Sequence, residues 1–271
     1  MDVRLQHNPR TLRTGGSKHH VYVELHALAA DRDGRWFAGG GMLMGSSEDK
    51  GALWLWNLNS GERRWVVKGV RSRWSAPNLT RTGHLIDWFR SRLTARHRTA
   101  GFVHTVTFGP DGSWLASGME TGKVWAWGTG AGKCRRVLDE PAHDGPVLAL
   151  AAGTDGGWLA SAGADGWIQF WDLTGGRQLY RVPGGGAPVR ALPLDPRGRW
   201  LYSAGDDGLI RRWVLTEQSV QAPVCDLAMQ ALPDGDWAVC EHPDDDDRRR
   251  WVNYSDGALR WLIGEPEPGG G

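Results

Sequence analysis

The sequence predicts an all-β protein built from repeated four-stranded antiparallel sheets, and three observations predict it. First, a pattern of Gly-x-Trp, a short apolar run, a tight turn and a second Trp returns five times along the 271 residues. It reads PDGSWLASGMETGKVWAWG at 110–128, TDGGWLASAGADGWIQFWD at 154–172 and PRGRWLYSAGDDGLIRRWV at 196–214, with looser copies at 32–57 and 233–262. Second, in the three regular copies the paired tryptophans (Trp114/Trp127, Trp158/Trp171, Trp200/Trp213) are each 13 residues apart, and copies follow one another at 42–44 residues. A period of that size marks repeated supersecondary units, each of which relies on its neighbours to cover its faces. Third, the apolar runs between turns are short and alternating, which is the signature of strands.

Residues 147–183 show how one unit is built. VLALAA (147–152) alternates as a half-buried strand does. Thr154-Asp155-Gly156-Gly157 supplies turn residues, and WLASA (158–162) is a second strand. Gly163-Ala164-Asp165-Gly166 reads as a tight hairpin, followed by WIQFWDL (167–173), rich in aromatic and β-branched residues. Thr174-Gly175-Gly176 turns again into RQLYRV. Four antiparallel strands on short turns make one blade of a β-propeller. Drawn in chain order, the blades fall at 20–70, 103–141, 146–183, 188–219 and 222–263, a single domain over 1–263. The tail 264–271, GEPEPGGG, reads as disordered. Five blades is at the low end for propellers. The ring closes with five, is completed by the candidate strand VRLQ (3–6), or is completed by another chain.

The segment from His143-Asp-Gly-Pro-Val through LASAGADG to Phe-Trp-Asp resembles a WD40 repeat. The resemblance extends over about residues 20–263 and implies a hydrogen-bonded structural tetrad in each blade. In the third blade the matching residues are His143, Ser161, Asp165 and Trp171, although Ala142 replaces the glycine that precedes the family's histidine. The fourth blade keeps Ser203, Asp207 and Trp213 but has Gly185 at the histidine position. The second keeps Ser117 and Trp127, with Thr121 for the aspartate; the first has Gly39 for the serine. His143, Ser161 and Asp165 also have the composition of a hydrolase triad. The tetrad accounts for them as ties between strands, and no catalytic residue is assigned.

The last copy departs from the pattern, with Trp237 and Trp261 separated by 24 residues that hold Asp244–Asp247 and Arg248–Arg250. Four adjacent aspartates alternate sides in an extended chain, so the run reads as a solvated hairpin tip rather than a calcium site. The ending LPDGDWAV, a charged hairpin and ALRWL resembles the terminal segment of bacterial WD-repeat and caspase-like or NTPase-linked proteins. That resemblance implies a cap with its own hairpin and a bacterial origin.

Two insertions interrupt the plan: GGMLMGSSED (40–49), between the second and third strands of blade one, and residues 68–101, between blades one and two. The second carries eight Lys or Arg residues (Lys68, Arg71, Arg73, Arg81, Arg90, Arg92, Arg96, Arg98) against Asp87. Within it HLIDWFRSRLTAR (84–96) places Leu85, Ile86, Trp88, Phe89 and Leu93 at helical spacing, predicting a basic amphipathic helix. Such a helix lies over the sheets with its arginines solvated, or docks an acidic partner through Arg71, Arg73, Trp74, Arg81, Trp88, Arg90, Arg92 and Arg96; nucleic-acid binding, with arginines on phosphate and Trp74 and Trp88 stacked on bases, is the least favoured reading because no recognised motif accompanies them. If the blades follow the WD40 plan, both insertions leave from one face of the ring.

Composition narrows the remaining classes. Seventeen tryptophans are largely architecture: ten are the repeat pairs, and Trp54, Trp125 and Trp167 share strands with them. A formal charge of +1 provides no global field for nucleic acid or membrane. Cys134, Cys225 and Cys240 are odd in number and lack CxxC spacing, which argues against a disulfide framework and a cysteine zinc site. No P-loop, GxGxxG, HExxH or GxSxG occurs. The N-terminus has no apolar leader and no run spans a bilayer, so a cytoplasmic location is expected. The function expected is that of a non-catalytic interaction scaffold or regulatory subunit, binding a protein partner through the insertion-bearing face and needing no cofactor or metal. The alternatives are an accessory subunit of a bacterial signalling or defence assembly, and an enzyme or small-ligand sensor using a central channel.

Overall fold

A computed structural model describes residues 22–44, 50–61, 63–68, 102–130, 134–215, 222–232, 235–243 and 249–255. These residues form strands in four antiparallel sheets, with no α-helix among them. Sheet one joins β1 (Tyr22–Ala30), β2 (Trp36–Met44), β3 (Lys50–Asn57) and β4 (Arg63–Lys68). Sheet two joins β5 (Val103–Phe108), β6 (Trp114–Met119), β7 (Val124–Gly128) and β8 (Cys134–Leu138). Sheet three joins β9 (Val147–Ala152), β10 (Trp158–Gly163), β11 (Trp167–Asp172) and β12 (Arg177–Pro183). Sheet four has six strands: β13 (Val189–Ala191), β14 (Trp200–Gly205), β15 (Leu209–Val214), β16 (Val224–Ala231), β17 (Trp237–Glu241) and β18 (Arg250–Tyr254).

The regular Trp spacing is a hairpin register. In each sheet the second Trp lies opposite the residue that follows the first: Phe37 faces Trp56, Leu115 faces Trp127, Leu159 faces Trp171 and Leu201 faces Trp213. A slip of one residue would turn every one of these side chains to the other face. The turns that enter the second strands are closed by aspartates. Asp111 accepts the Ser113 N–H at 2.9 Å, Asp155 the Gly157 N–H at 2.9 Å and Asp195 the Arg197 N–H at 3.2 Å.

The first strands, β1, β5, β9 and β13, pack in series, which stacks the sheets face to face in chain order. Each junction is a separate apolar core. Ala38, Leu53 and Leu55 of sheet one meet Val106, Leu115, Met119 and Trp127 of sheet two. Trp114, Ala116 and Val124 of sheet two meet Leu159 and Trp171 of sheet three. Ala160, Ile168 and Phe170 of sheet three meet Val189, Leu201 and Trp213 of sheet four. Sheets two and three are therefore apolar on both faces, as a stacked blade must be. No comparable packing returns from sheet four to sheet one among the described residues.

One boundary differs from the expected drawing. Residues 188–219 and 222–263 do not form two sheets: β16, expected to open a fifth blade, pairs with β15 from Val214↔Val224 to Leu209↔Gln230. Arg212 clasps Asp226 across this pair at 3.0 and 2.7 Å, completing the fourth blade. The last copy then adds β17 and β18 as a hairpin on the outer edge of the same sheet. Insertion residues 45–49 and 69–101, the strand candidate at 3–6, the Asp244–Asp247 run and the tail at 264–271 lie outside the described residues.

Candidate functional site

In sheet three, four side chains form a continuous buried chain of hydrogen bonds. The Trp171 Nε1–H donates to Ser161 Oγ at 2.8 Å, and Ser161 Oγ lies 2.8 Å from His143 Nε2. His143 Nδ1 lies 2.9 Å from Asp165 Oδ1. An ionised carboxylate only accepts, so Nδ1 carries a proton; in the neutral ring Nε2 then accepts the serine proton. The chain ties the third strand of the sheet, through the second, to the connection that arrives from sheet two. Asp165 finishes it by accepting the backbone N–H groups of Asp144 and Trp167, each at 3.2 Å. Burial pushes the Asp165 carboxyl up, but its bonds to His143, Trp167 and Asp144 outweigh that, and it sits below the usual carboxylate range.

The neighbouring sheets solve the same problem with different residues. Trp213 donates to Ser203 Oγ at 2.9 Å and Trp127 to Ser117 Oγ at 2.9 Å. In sheet four the histidine position is Gly185, and the vacated space is filled from another strand. Buried Arg211 pairs with Asp207 and donates to the Gly184 carbonyl at 3.1 Å. A Cβ at Gly185, which has φ +119°, would stand 2.2 Å from the Asp207 carboxylate and 2.5 Å from the Arg211 guanidinium. Arg211 occupies the strand position of Gln169, which is fully buried with its amide unpartnered. The substitution is written in the sequence only as an Arg where the strand pattern calls for a buried residue.

These networks sit at one end of the sheets, where the turns between second and third strands meet the connections between sheets. Backbone bonds lock the two together: His143 N–H to Gly122 O at 3.1 Å, Ala164 N–H to Pro146 O at 2.9 Å, Gly184 N–H to Gly166 O at 2.7 Å and Asp206 N–H to Pro188 O at 3.0 Å. Around this tied end stand half-buried Trp167 with the Arg181 guanidinium 4.2 Å above its ring, the Lys123–Asp139 pair at 2.7 Å, and the pairs His104–Glu120 and Arg190–Asp206. The Arg190 hydrogen bond holds the Asp206 carboxyl below its ordinary value. The Arg181–Trp167 pair was not singled out from sequence, because an Arg in an outermost strand reads as a solvated charge.

The expected partner-binding residues Arg71, Arg73, Trp74, Arg81, Trp88, Arg90, Arg92 and Arg96 lie outside the described residues. Their points of departure do not. Strand β2 ends at Met44 and β3 resumes at Lys50; β4 ends at Lys68 and β5 starts at Val103. In sheets two to four those connections belong to the tied end.

Chemically, the serine of the sheet-three network is not an exposed nucleophile. Ser161 is fully buried and its oxygen is engaged on both sides. At the opposite end Arg32, Asp111, Trp114 and Asp155 border an open cleft, where the two aspartates are already spent on turn N–H groups. Among the described residues no group of three His, Cys, Asp or Glu side chains is placed to hold a metal ion. Among the described residues no helix is long and apolar enough to cross a membrane. None of the three cysteines is in a disulfide; Cys225 and Cys240 are buried and Cys134 is exposed.

Comparison with known proteins agrees with this geometry. The family model for the WD domain, G-beta repeat (WD40) matches residues 90–128, 132–172 and 176–213. The second and third matches each begin with the outermost strand of one sheet and end on the third strand of the next, so every such repeat straddles two sheets. Over 101 residues the chain is 31% identical to the periodic tryptophan protein 2 homolog of Dictyostelium discoideum. That match spans 35% of this chain and 11% of the relative, so the chain corresponds to about a tenth of that protein's length. Among solved structures, a chain of the mitotic checkpoint complex superposes with a TM-score of 0.55 at 17% identity, over 86% of this chain and 67% of that one. The computationally designed Ika4 protein is similar with a TM-score of 0.49 at 19% identity, over 78% of this chain and all of that one.

Proposed function

We propose, from the premise that this chain is a WD40-repeat protein, that it is a non-catalytic interaction scaffold which grips a protein partner at the tied end of its sheets. A general scaffold role follows from the fold, which presents several rigid loop-bearing blades side by side. The observation that carries the specific reading is that both long insertions depart from this one end. The +7 local charge of residues 68–101 favours an acidic partner. Half-buried Trp167 with the exposed Arg181 over its ring supplies an aromatic–arginine anchor of the type that dominates binding energy. The sealed Ser161–His143–Asp165 set supports the non-enzymatic reading, since a substrate has no route to the serine.

The test compares three chains for capture of the same cross-linked partner from the native host: the intact chain, a chain with residues 71–98 replaced by a short turn, and the triple reversal of Arg90, Arg92 and Arg96 to Glu. Deletion and reversal are expected to lower affinity at least tenfold, and reversal to flatten its salt dependence. Full-affinity capture by the folded deletion chain would show the insertion to be dispensable and the proposal wrong.

A further inference from the structure

Sheet one turns one face to sheet two and the other away from it, and this far face is covered along one strip only. Leu53 and Leu55 of β3 lie in the core shared with sheet two, so Ala52 and Trp54 point to the far side. No described sheet packs there, yet Ala52 is 0% and Trp54 6% exposed. The repeat gives the measure of that burial. Trp54 stands two residues before the second Trp of its copy, as do Trp125, Gln169 and Arg211 on the faces turned to the preceding sheet. Gln169 and Arg211, with a whole sheet against them, are 0% and 6% exposed. Trp54 is thus as well covered as if a sheet preceded it. The cover is nevertheless not a sheet. Leu28 lies in the same row, opposite Gly39, as Val106 lies opposite Ser117 and Leu150 opposite Ser161. A preceding sheet buries that position, leaving Val106 8% exposed, whereas Leu28 is 59% exposed. Toward the opposite end of the strand Trp56 is only half-buried, where Trp127, Trp171 and Trp213 are buried. The cover is therefore a narrow body over β3 at the tied end, and it leaves β1 bare.

We infer that this body is the chain's own insertion, residues 69–101, docked on Ala52 and Trp54 through the apolar residues of 84–96. Two observations choose it over the other segments outside the described residues. First, the insertion leaves sheet one beside the covered strip, since Lys68 pairs with Ala52 and Val66 with Trp54. The N-terminal residues instead enter through Tyr22 of β1, the strand whose Leu25 and Leu28 are bare. Second, the insertion carries what the strip requires. Leu85, Ile86, Phe89 and Leu93 recur at helical spacing, and one helix, about 10 Å across, covers a strip and not a sheet face. The chain is long enough. From Arg96 to Val103 it spans up to about 23 Å, and the layer beyond sheet one lies two sheet spacings, about 20 Å, from β5. The inference goes beyond the partner proposal and does not depend on it: it assigns the apolar residues of the segment to sheet one, whatever its arginines bind.

The test is hydroxyl-radical footprinting of the whole chain, read at Trp54 by mass spectrometry. Leu85→Asp combined with Phe89→Asp is expected to raise Trp54 oxidation at least about threefold while Trp127, Trp171 and Trp213 stay protected. Removal of residues 1–18 is expected to leave Trp54 protected, and so is dilution of the intact chain. Unchanged protection of Trp54 in the double Asp variant, with the other three tryptophans protected, would overturn the inference. So would deprotection on removal of 1–18, which assigns the cover to the N-terminal segment, or on dilution, which assigns it to a second copy. Cross-linking gives a measurement that does not rest on the Asp variant folding. A benzoyl-phenylalanine in place of Phe89 is expected to cross-link to residues 50–57 of the same molecule; cross-links confined to other sheets or to another molecule would overturn the inference. The double Asp variant keeps all eight Lys and Arg residues of the segment, so partner capture is scored separately and its failure leaves the Trp54 result standing.

Discussion

At the residue scale, sheets two, three and four are each tied by one indole N–H aimed at one hydroxyl. Trp171→Phe keeps most of the apolar area but leaves Ser161 Oγ, fully buried, without its donor. The expected loss is about 1–3 kcal/mol, read as a lower denaturant midpoint with unchanged slope. Asp165 sets a pH dependence. Its carboxyl lies below its ordinary value in the folded state, so the stability it contributes is present above the unfolded value of about 3.9 and is lost as pH falls through the lower, folded one. The midpoint is therefore expected to hold from neutrality to about pH 5 and to fall below about pH 4, with a shallower fall in Asp165→Asn. An unchanged acid limb in that variant would remove Asp165 from the account. In sheet four, Arg211→Leu strands Asp207 and the Gly184 carbonyl and is expected to cost about 1–3 kcal/mol. Adding Asp207→Asn should recover part of that loss, which a double-mutant cycle measures.

At the element scale, the strands and their register were legible because a 13-residue Trp spacing and Asp-Gly turns admit few other readings. The strand pairing of the last copy was not. Its Trp-to-Trp distance breaks the pattern, and nothing local distinguishes a strand that opens a new sheet from one that closes the old. The choice is made by long-range pairing, through the Arg212–Asp226 clasp and the β15–β16 ladder. The replacement of a histidine by Arg211 was hidden for a similar reason: the two positions are 26 residues apart in sequence and share space only after folding. The ties between elements also give a sharp test. Gly122 sits in the β6–β7 turn at φ +77°, and an added Cβ would lie 2.0 Å from the His143 carbonyl oxygen. Gly122→Ala must break the His143 N–H to Gly122 O bond or shift the sheet-two to sheet-three connection. It is expected to destabilise the protein by more than the roughly 1 kcal/mol of an ordinary turn substitution.

At the scale of the whole molecule, a stack whose members touch only their neighbours has a gradient of stability fixed by position. Among the described residues, sheets two and three are packed by sheets on both faces, whereas sheets one and four each have one face without a neighbouring sheet. Local opening follows uncovered surface, so amide exchange should be slowest in β6, β7, β10 and β11 and fastest in β1 and β16–β18. Exchange that is equally fast in the middle and the outer sheets would remove position in the stack as the source of the gradient.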